Sequence, residues 1–239
     1  MQEASGASII QDSWPHTANV AVHVLFGTLA LVLGTIQLVR AKGDARHIRC
    51  GRWFLACILV SVATAATGVV IFRFRAFLGV ITMLVAYWAF SGYRALRIRL
   101  TGPTLRDALG AFAGLGAAGL FILYLRVAQF PWAPAVVYST LGTLVTVALY
   151  DLARFAFPVR WFAKLWVYEH LVKMIGAFSA ALSAFSGTVL GAWQPYSQLV
   201  PSALCTAAMF GFVFYFRRRP VPWPDVGTVE REQAQGVVL

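Results

Sequence analysis

Seven apolar stretches, at residues 18–40, 53–72, 77–94, 108–126, 134–151, 164–190 and 199–216, leave this chain few folds to choose from. Each is long enough to cross about 30 Å of hydrocarbon as a helix. Inside a bilayer every backbone N–H and C=O must be satisfied within its own segment, so such stretches become helices. With 59% hydrophobic and 12% charged residues, the chain lies far from soluble domains, of which about a quarter is charged. The predicted fold is all-α, a polytopic transmembrane helical bundle of seven spans. It forms a single domain over residues 18–216, between an outer N-terminal segment (1–17) and a disordered cytoplasmic tail (217–239) containing Pro220, Pro222 and Pro224. The first sixteen residues hold Glu3 and Asp12 but no Lys or Arg. They lack the basic n-region of a signal peptide, so the first helix is expected to stay in the mature protein.

A net charge of +11 invites a nucleic-acid reading, but the placement of the charges points to topology instead. Of twenty Lys and Arg, five lie at Arg40–Arg52, four at Arg94–Arg106, three at Arg154–Lys164 and four from Arg217 onward. These fall on alternate connections, whereas Arg73, Arg75 and Arg126 are the basic residues on the opposite side. The positive-inside rule then puts the N-terminus out and the C-terminus in, which requires an odd number of spans. The partners expected are anionic lipid headgroups, with a membrane protein or a second copy of the chain, and no nucleic acid. Cys50, Cys57 and Cys205 show no Cys-x-x-Cys spacing, so neither a disulfide framework nor a zinc ribbon is indicated.

The first span carries a stripe of imidazole, small residues and amide. His16, His23, Gly27, Ala30, Gly34 and Gln37 fall within roughly 80° of arc on a helix. Its opposite face is Val, Leu and Phe, so the stripe is the predicted packing seam and the other face the lipid-facing back. Asp44 can cap the second helix. Gly110, Gly114, Gly116 and Gly119 give the fourth span a helix-packing face. In the fifth, Ser139, Thr143, Thr146 and Tyr150 make a mildly polar face, explained equally by hydroxyls bonding to their own backbone.

Glu169, His170 and Lys173 lie within the inner half of the sixth span, where charge is costly unless paired or turned inward. Glu169 and Lys173 have the i, i+4 spacing for mutual neutralisation. His170 heads a stripe of Met174, Ala177, Ala181, Ala184 and Thr188, with Ser179, Ser183 and Ser186 on the opposite side. The two His-headed stripes predict that spans one and six pack together in the centre.

The candidate cofactor-binding residues are therefore His23, His47, His170, Glu169 and Lys173, with His47 and His170 the candidate metal ligands. Haem and quinone are the cofactors these residue types suggest. Bis-histidine haem needs two imidazoles at one depth, yet His23 near the outer end and His170 near the inner end differ by about 14 Å in a 30 Å core. His47 lies on the same side as His170. Asp44, Asp107, Asp151 and Glu169 also fall toward that side, without the spaced motif of a zinc or iron site, and pairing with the abundant Arg accounts for them. The last span has no lysine for a retinal Schiff base.

Several of these residues also carry a resemblance. His23 with Gly27, Gly34 and Gln37, then Lys42-Gly43, His47, Gly51-Arg52, Ser91-Gly92-Tyr93-Arg94, and His170, Met174, Gly176-Ala177 and Ala184-Phe185 resemble a family of uncharacterised bacterial integral membrane proteins with a domain of unknown function. The resemblance covers residues 20–190. It implies that the three histidines form a set and that the chain resides in a bacterial inner membrane, and it brings no activity with it. A fainter, fold-level likeness is to dihaem cytochrome-b-type bundles.

The functional expectation is a membrane redox protein with a cytoplasm-facing polar pocket near His170 and His47, acting through haem or quinone. The alternatives are a non-catalytic subunit or assembly factor of a membrane complex, and a small-molecule transporter or receptor.

Overall fold

Each apolar stretch is a helix in the computed structural model, which describes residues 14–72, 75–99, 101–127 and 133–218. The helices are α1 (Trp14–Val39), α2 (Ala45–Thr67, prolonged by a π-helical turn, Gly68–Phe72), α3 (Ala76–Arg97), α4 (Leu105–Val127), α5 (Pro134–Ala153, then a 3-10 turn, Arg154–Ala156), α6 (Val159–Val189) and α7 (Tyr196–Arg218). No strand occurs among the described residues. The expected N-terminal segment before Trp14, the outer turn at Pro131 and Trp132, and the tail from Arg219 lie outside the described residues.

Helix boundaries follow local chemistry. Pro134 starts α5, where its missing N–H costs nothing. Asp44 caps α2 by accepting from the His47 N–H at 2.6 Å, so α2 begins eight residues before the apolar run at 53. The α3–α4 turn is locked by Asp107. Its carboxylate accepts from the Thr104 N–H and hydroxyl, both at 2.8 Å, and from Arg94 in a two-point pair at 2.9 and 2.7 Å. Here an acid at a helix end pairs with arginine, as the sequence suggested.

Among the described residues, six helices are long and apolar enough to cross a membrane. The remaining one, α3, has 22 residues and lies at the centre, against α2, α4, α5 and α6. Because its sides face protein, it can carry Tyr87, Trp88 and Ser91, all buried. The chain is thus a multi-pass membrane protein, a bundle of seven helices.

The centre differs from the expectation that spans one and six form it. α3 packs along α6, while α1 packs mainly on α2 and meets α6 over a short patch. Two glycines explain the pairing. A Cβ on Gly176 of α6 would come within 2.1 Å of the Trp88 ring, and one on Gly92 of α3 within 2.8 Å of Met174 Sδ. Only glycine lets these helices approach so closely.

The stripe on α1 is a packing seam, as read from the sequence, and its partner is α2. Asn19 donates to the Thr64 carbonyl at 3.0 Å, Gly27 faces Ser61, and Gln37 donates to the His47 carbonyl at 2.9 Å. Gly34 receives Phe178 of α6. Past the end of α1, Lys42 Nζ donates to the carbonyls of Gln37, Leu38 and Arg40 at 2.6, 2.9 and 2.7 Å and sits 4.7 Å from the Phe212 ring of α7. It serves as a C-cap for α1.

Candidate functional site

Helices α5 and α6 both lean on α3 but pack little on each other. The inner half of the gap between them is filled by charge. Asp151 and Arg154, one turn apart on α5, face Glu169 and Lys173, one turn apart on α6. Arg154 Nη1 lies 2.6 Å from Glu169 Oε2, and Arg154 Nη2 lies 2.9 Å from Asp151 Oδ1. Lys173 Nζ lies 2.5 Å from Asp151 Oδ1 and 3.5 Å from Glu169 Oε2. Three hydroxyls complete the group: Tyr87 donates to Asp151 Oδ2 at 2.7 Å, Ser91 donates to the same oxygen, and Tyr150 donates to Glu169 Oε1 at 2.9 Å.

All four charged side chains are at most 5% exposed. Two anions and two cations leave the group neutral, which is what allows it in hydrocarbon. Each carboxylate is held by both cations and a phenol. Such a network closes the gap between α5 and α6 with every charge opposed and every carboxylate bonded.

Beyond this cluster, toward Pro134 of α5 and Val189 of α6, the gap opens into a chamber of about 410 Å³ bounded by α3, α5, α6 and α7. Trp88 and Gly176 line it, and Gly176 lies one helical turn beyond Lys173. Among its polar lining groups are Ser139 and Thr143 of α5 and Ser179 and Ser183 of α6, the faces read separately from the sequence, joined by Ser202 and Thr206 of α7. Among the described residues, none of those lining it is charged. In size it matches the pockets that take small organic ligands.

The candidate histidines are only partly brought together. His23 Nδ1 lies 3.0 Å from the Ser61 carbonyl and 3.2 Å from Thr64 Oγ1, so it ties α1 to α2. His170 Nδ1 lies 2.9 Å from the Gly92 carbonyl and ties α6 to α3. A carbonyl accepts only, so both rings carry the proton on Nδ1. The contact of Gly34 with Phe178 sets α1 against α6, which run in opposite directions. From that contact His23 lies eleven residues toward the outer side and His170 eight toward the inner, about 28 Å apart along the helices. This is twice the separation expected from sequence, and the two cannot share one iron. His47, by contrast, lies within electrostatic reach of His170. Its Nδ1, like Gln37 Oε1, is buried without a partner among the described residues. No group of three or more His, Cys, Asp or Glu among the described residues is placed to hold a metal ion.

Glu169 and Lys173 are both in the cluster, but at 3.5 Å their mutual contact is the weakest in it. Their principal partners, Arg154 and Asp151, have a sequence signature: an Asp-x-x-Arg pair at the end of one apolar helix and a Glu-x-x-x-Lys pair in the first half of the next. Arg154 reads in sequence as a topology charge, yet it is 1% exposed. Comparison of the chain with protein-family models, with curated proteins and with solved structures gives no match.

Proposed function

We propose that the protein is a membrane redox protein whose ligand is a lipid-soluble quinone, held in the chamber between α5, α6 and α7. The observation that carries this reading is the placement of an uncharged, hydroxyl-bearing chamber next to a buried, charge-balanced cluster of two carboxylates and two cations, with Gly176 and Lys173 one turn apart on the same helix. Quinone chemistry couples electrons to protons. The chain contributes a cavity with an aromatic wall in Trp88 and, one turn away, a buried pair of carboxylates. Electrons come from a redox partner in the same membrane. Haem is not favoured, because His23 and His170 stand at opposite ends of the bundle and each holds two helices together.

The test is purification in mild detergent, followed by solvent extraction, an absorption spectrum and metal analysis. A stoichiometric quinone, released intact and restored by adding a short-chain quinone, is the expected result. Absence of bound quinone together with failure to bind an added one overturns the reading.

One observation favours a second reading, a subunit or assembly factor. Gly116 and Gly119 of α4 face open space, whereas Gly110 and Gly114 of the same helix are covered by Phe90 and by Leu144 with Tyr87. The open part of that glycine face suits a partner helix. The glycines of α1 do not support this, because Gly34 is occupied by Phe178 and Gly27 faces Ser61. Stoichiometric copurification of another membrane chain, lost on Gly116→Leu, is the outcome expected of a subunit.

A further inference from the structure

The chamber has four walls, α3, α5, α6 and α7, and three of the seams between them are closed. α3 and α6 meet at Trp88 and Gly176. α6 and α7 are pinned where Ser183 Oγ lies 2.8 Å from Ser202 Oγ, and where Gln198 occupies the space a Cβ on Gly187 would need. α3 packs on α5, and Tyr87 joins Asp151 at the Lys173 end. The fourth seam, between α5 and α7, is different: these two helices pack little on each other. Among the described lining residues, the exposed ones are Ser139 of α5 with Ala203 and Thr206 of α7, and the rest are buried or half-buried. On a helix of about 100° per residue, Ser139 lies about 140° round α5 from Leu144, which packs on Gly114 of α4. Ala203 lies about 120° round α7 from the Gln198–Ser202 edge that faces α6. Both line the chamber yet turn away from the closed seams, so they stand at the open one, and their side chains are small.

We infer that this seam is a lateral mouth through which the chamber opens onto the acyl chains of the bilayer, and that the ligand is chain-bearing. Its ring lies among the chamber's hydroxyls, and its chain leaves between Ser139 and Ala203 into the lipid. The inference rests on the quinone reading above and adds the chain and its route. Depth supports it. α5 and α7 begin at the same end of the bundle, at Pro134 and Tyr196, and Ser139, Ala203 and Thr206 lie five, seven and ten residues in. At about 1.5 Å per residue that is roughly 8–15 Å, inside a hydrocarbon core of about 30 Å rather than among headgroups. Tyr138 and Leu204, beside the mouth, are large and exposed, as a lipid-facing surface requires. The two surroundings ask for two chemistries in one molecule. A bare acyl chain in the chamber would lie against seven hydroxyl side chains and the Gln198 amide, with nothing to offer them. A wholly polar solute would have to cross hydrocarbon to reach the mouth. A polar ring on an apolar chain meets both conditions.

The experiment uses the full-length protein in lipid nanodiscs with two quinones that share a ring, one with a long isoprenoid chain and one with a methyl group in its place. A third probe, the long-chain quinone with a diazirine on the first carbons of its chain, is photolysed and its attachment mapped by mass spectrometry. Labelling of α5 around Ser139 and of α7 around Ala203 is expected. The double variant Ser139→Phe with Ala203→Phe fills the mouth and should weaken the long-chain quinone about tenfold or more, while the methyl quinone stays within about twofold at equilibrium. Val200→Phe, on the exposed face of α7 away from the mouth, should change neither. Labelling confined to other helices overturns the inference and leaves the quinone reading standing. So does an unchanged long-chain affinity, or an equal loss for both quinones, in a double variant shown folded by its melting temperature. Where that variant does not fold, the labelling pattern decides alone. Failure of the unsubstituted protein to bind either quinone overturns both readings together.

Discussion

Lys173 Nζ stands 2.5 Å from Asp151 Oδ1 across the gap between α5 and α6, and neither side chain is more than 3% exposed. The two helices pack little on each other, so this pair, with Arg154 and Glu169, is what joins them below the chamber. Removing one member leaves the cluster with net charge in hydrocarbon. Lys173→Met or Asp151→Asn alone should destabilise the bundle by about 3–5 kcal/mol. The double variant restores neutrality and should lose clearly less than the sum of the two. Thermal unfolding in detergent provides the measurement, and strict additivity would show that the pair is not coupled.

Trp88 and Gly176 define how closely α3 and α6 approach. Gly176→Ala puts a methyl 2.1 Å from the ring, so the ring or the helices must shift. A loss of about 1–3 kcal/mol from overpacking is expected. The second change Trp88→Leu should recover part of it by making room, and the melting temperatures of the two variants decide the point. The same double variant enlarges the chamber and should weaken binding of any ring ligand.

His23 and His170 carry different consequences although both bond to a neighbouring helix. His23→Ala removes a link between α1 and α2 and should cost about 1 kcal/mol of stability with unchanged quinone affinity. His170→Ala acts on the α3–α6 pair beside the ion cluster, since the Gly92 carbonyl it bonds belongs to the residue whose missing Cβ leaves room for Met174 and the Lys173 stem. It should lower stability and also weaken quinone binding. Titration of each purified variant with a short-chain quinone separates the two, and an equal effect on binding from both would contradict this division.

Lys42 holds three carbonyls at the end of α1, and burial draws its ammonium below the ordinary lysine value. Lys42→Met keeps most of the stem and deletes the donors. Faster amide exchange across the start of the α1–α2 turn is expected, with a loss of about 1–2 kcal/mol. Lys42→Arg should not restore protection, because a planar fork does not converge on three carbonyls around one point.

Much of this architecture is a local property of the chain. The seven apolar helices and the exposed apolar back of α1 follow from hydropathy and helix periodicity, each decided within a single segment. The Asp44 cap and the seam through His23, Gly27, Gly34 and Gln37 are equally local, and the structure shows both. The two polar centres are not. Asp151 with Arg154 and Glu169 with Lys173 are each legible as charges near a helix end. Nothing in either segment says that they face each other, because that depends on how α5 and α6 both lean on α3. Close approach of α3 and α6 comes from the room that Gly92 and Gly176 leave for Met174 and Trp88. The same three-helix arrangement gathers serines and threonines from α5, α6 and α7 around one chamber. Sequence alone determined which residues must leave the lipid, because transfer into hydrocarbon is paid residue by residue. Tertiary structure alone decided which of them meet, because partners are chosen by helix crossings that no single segment contains.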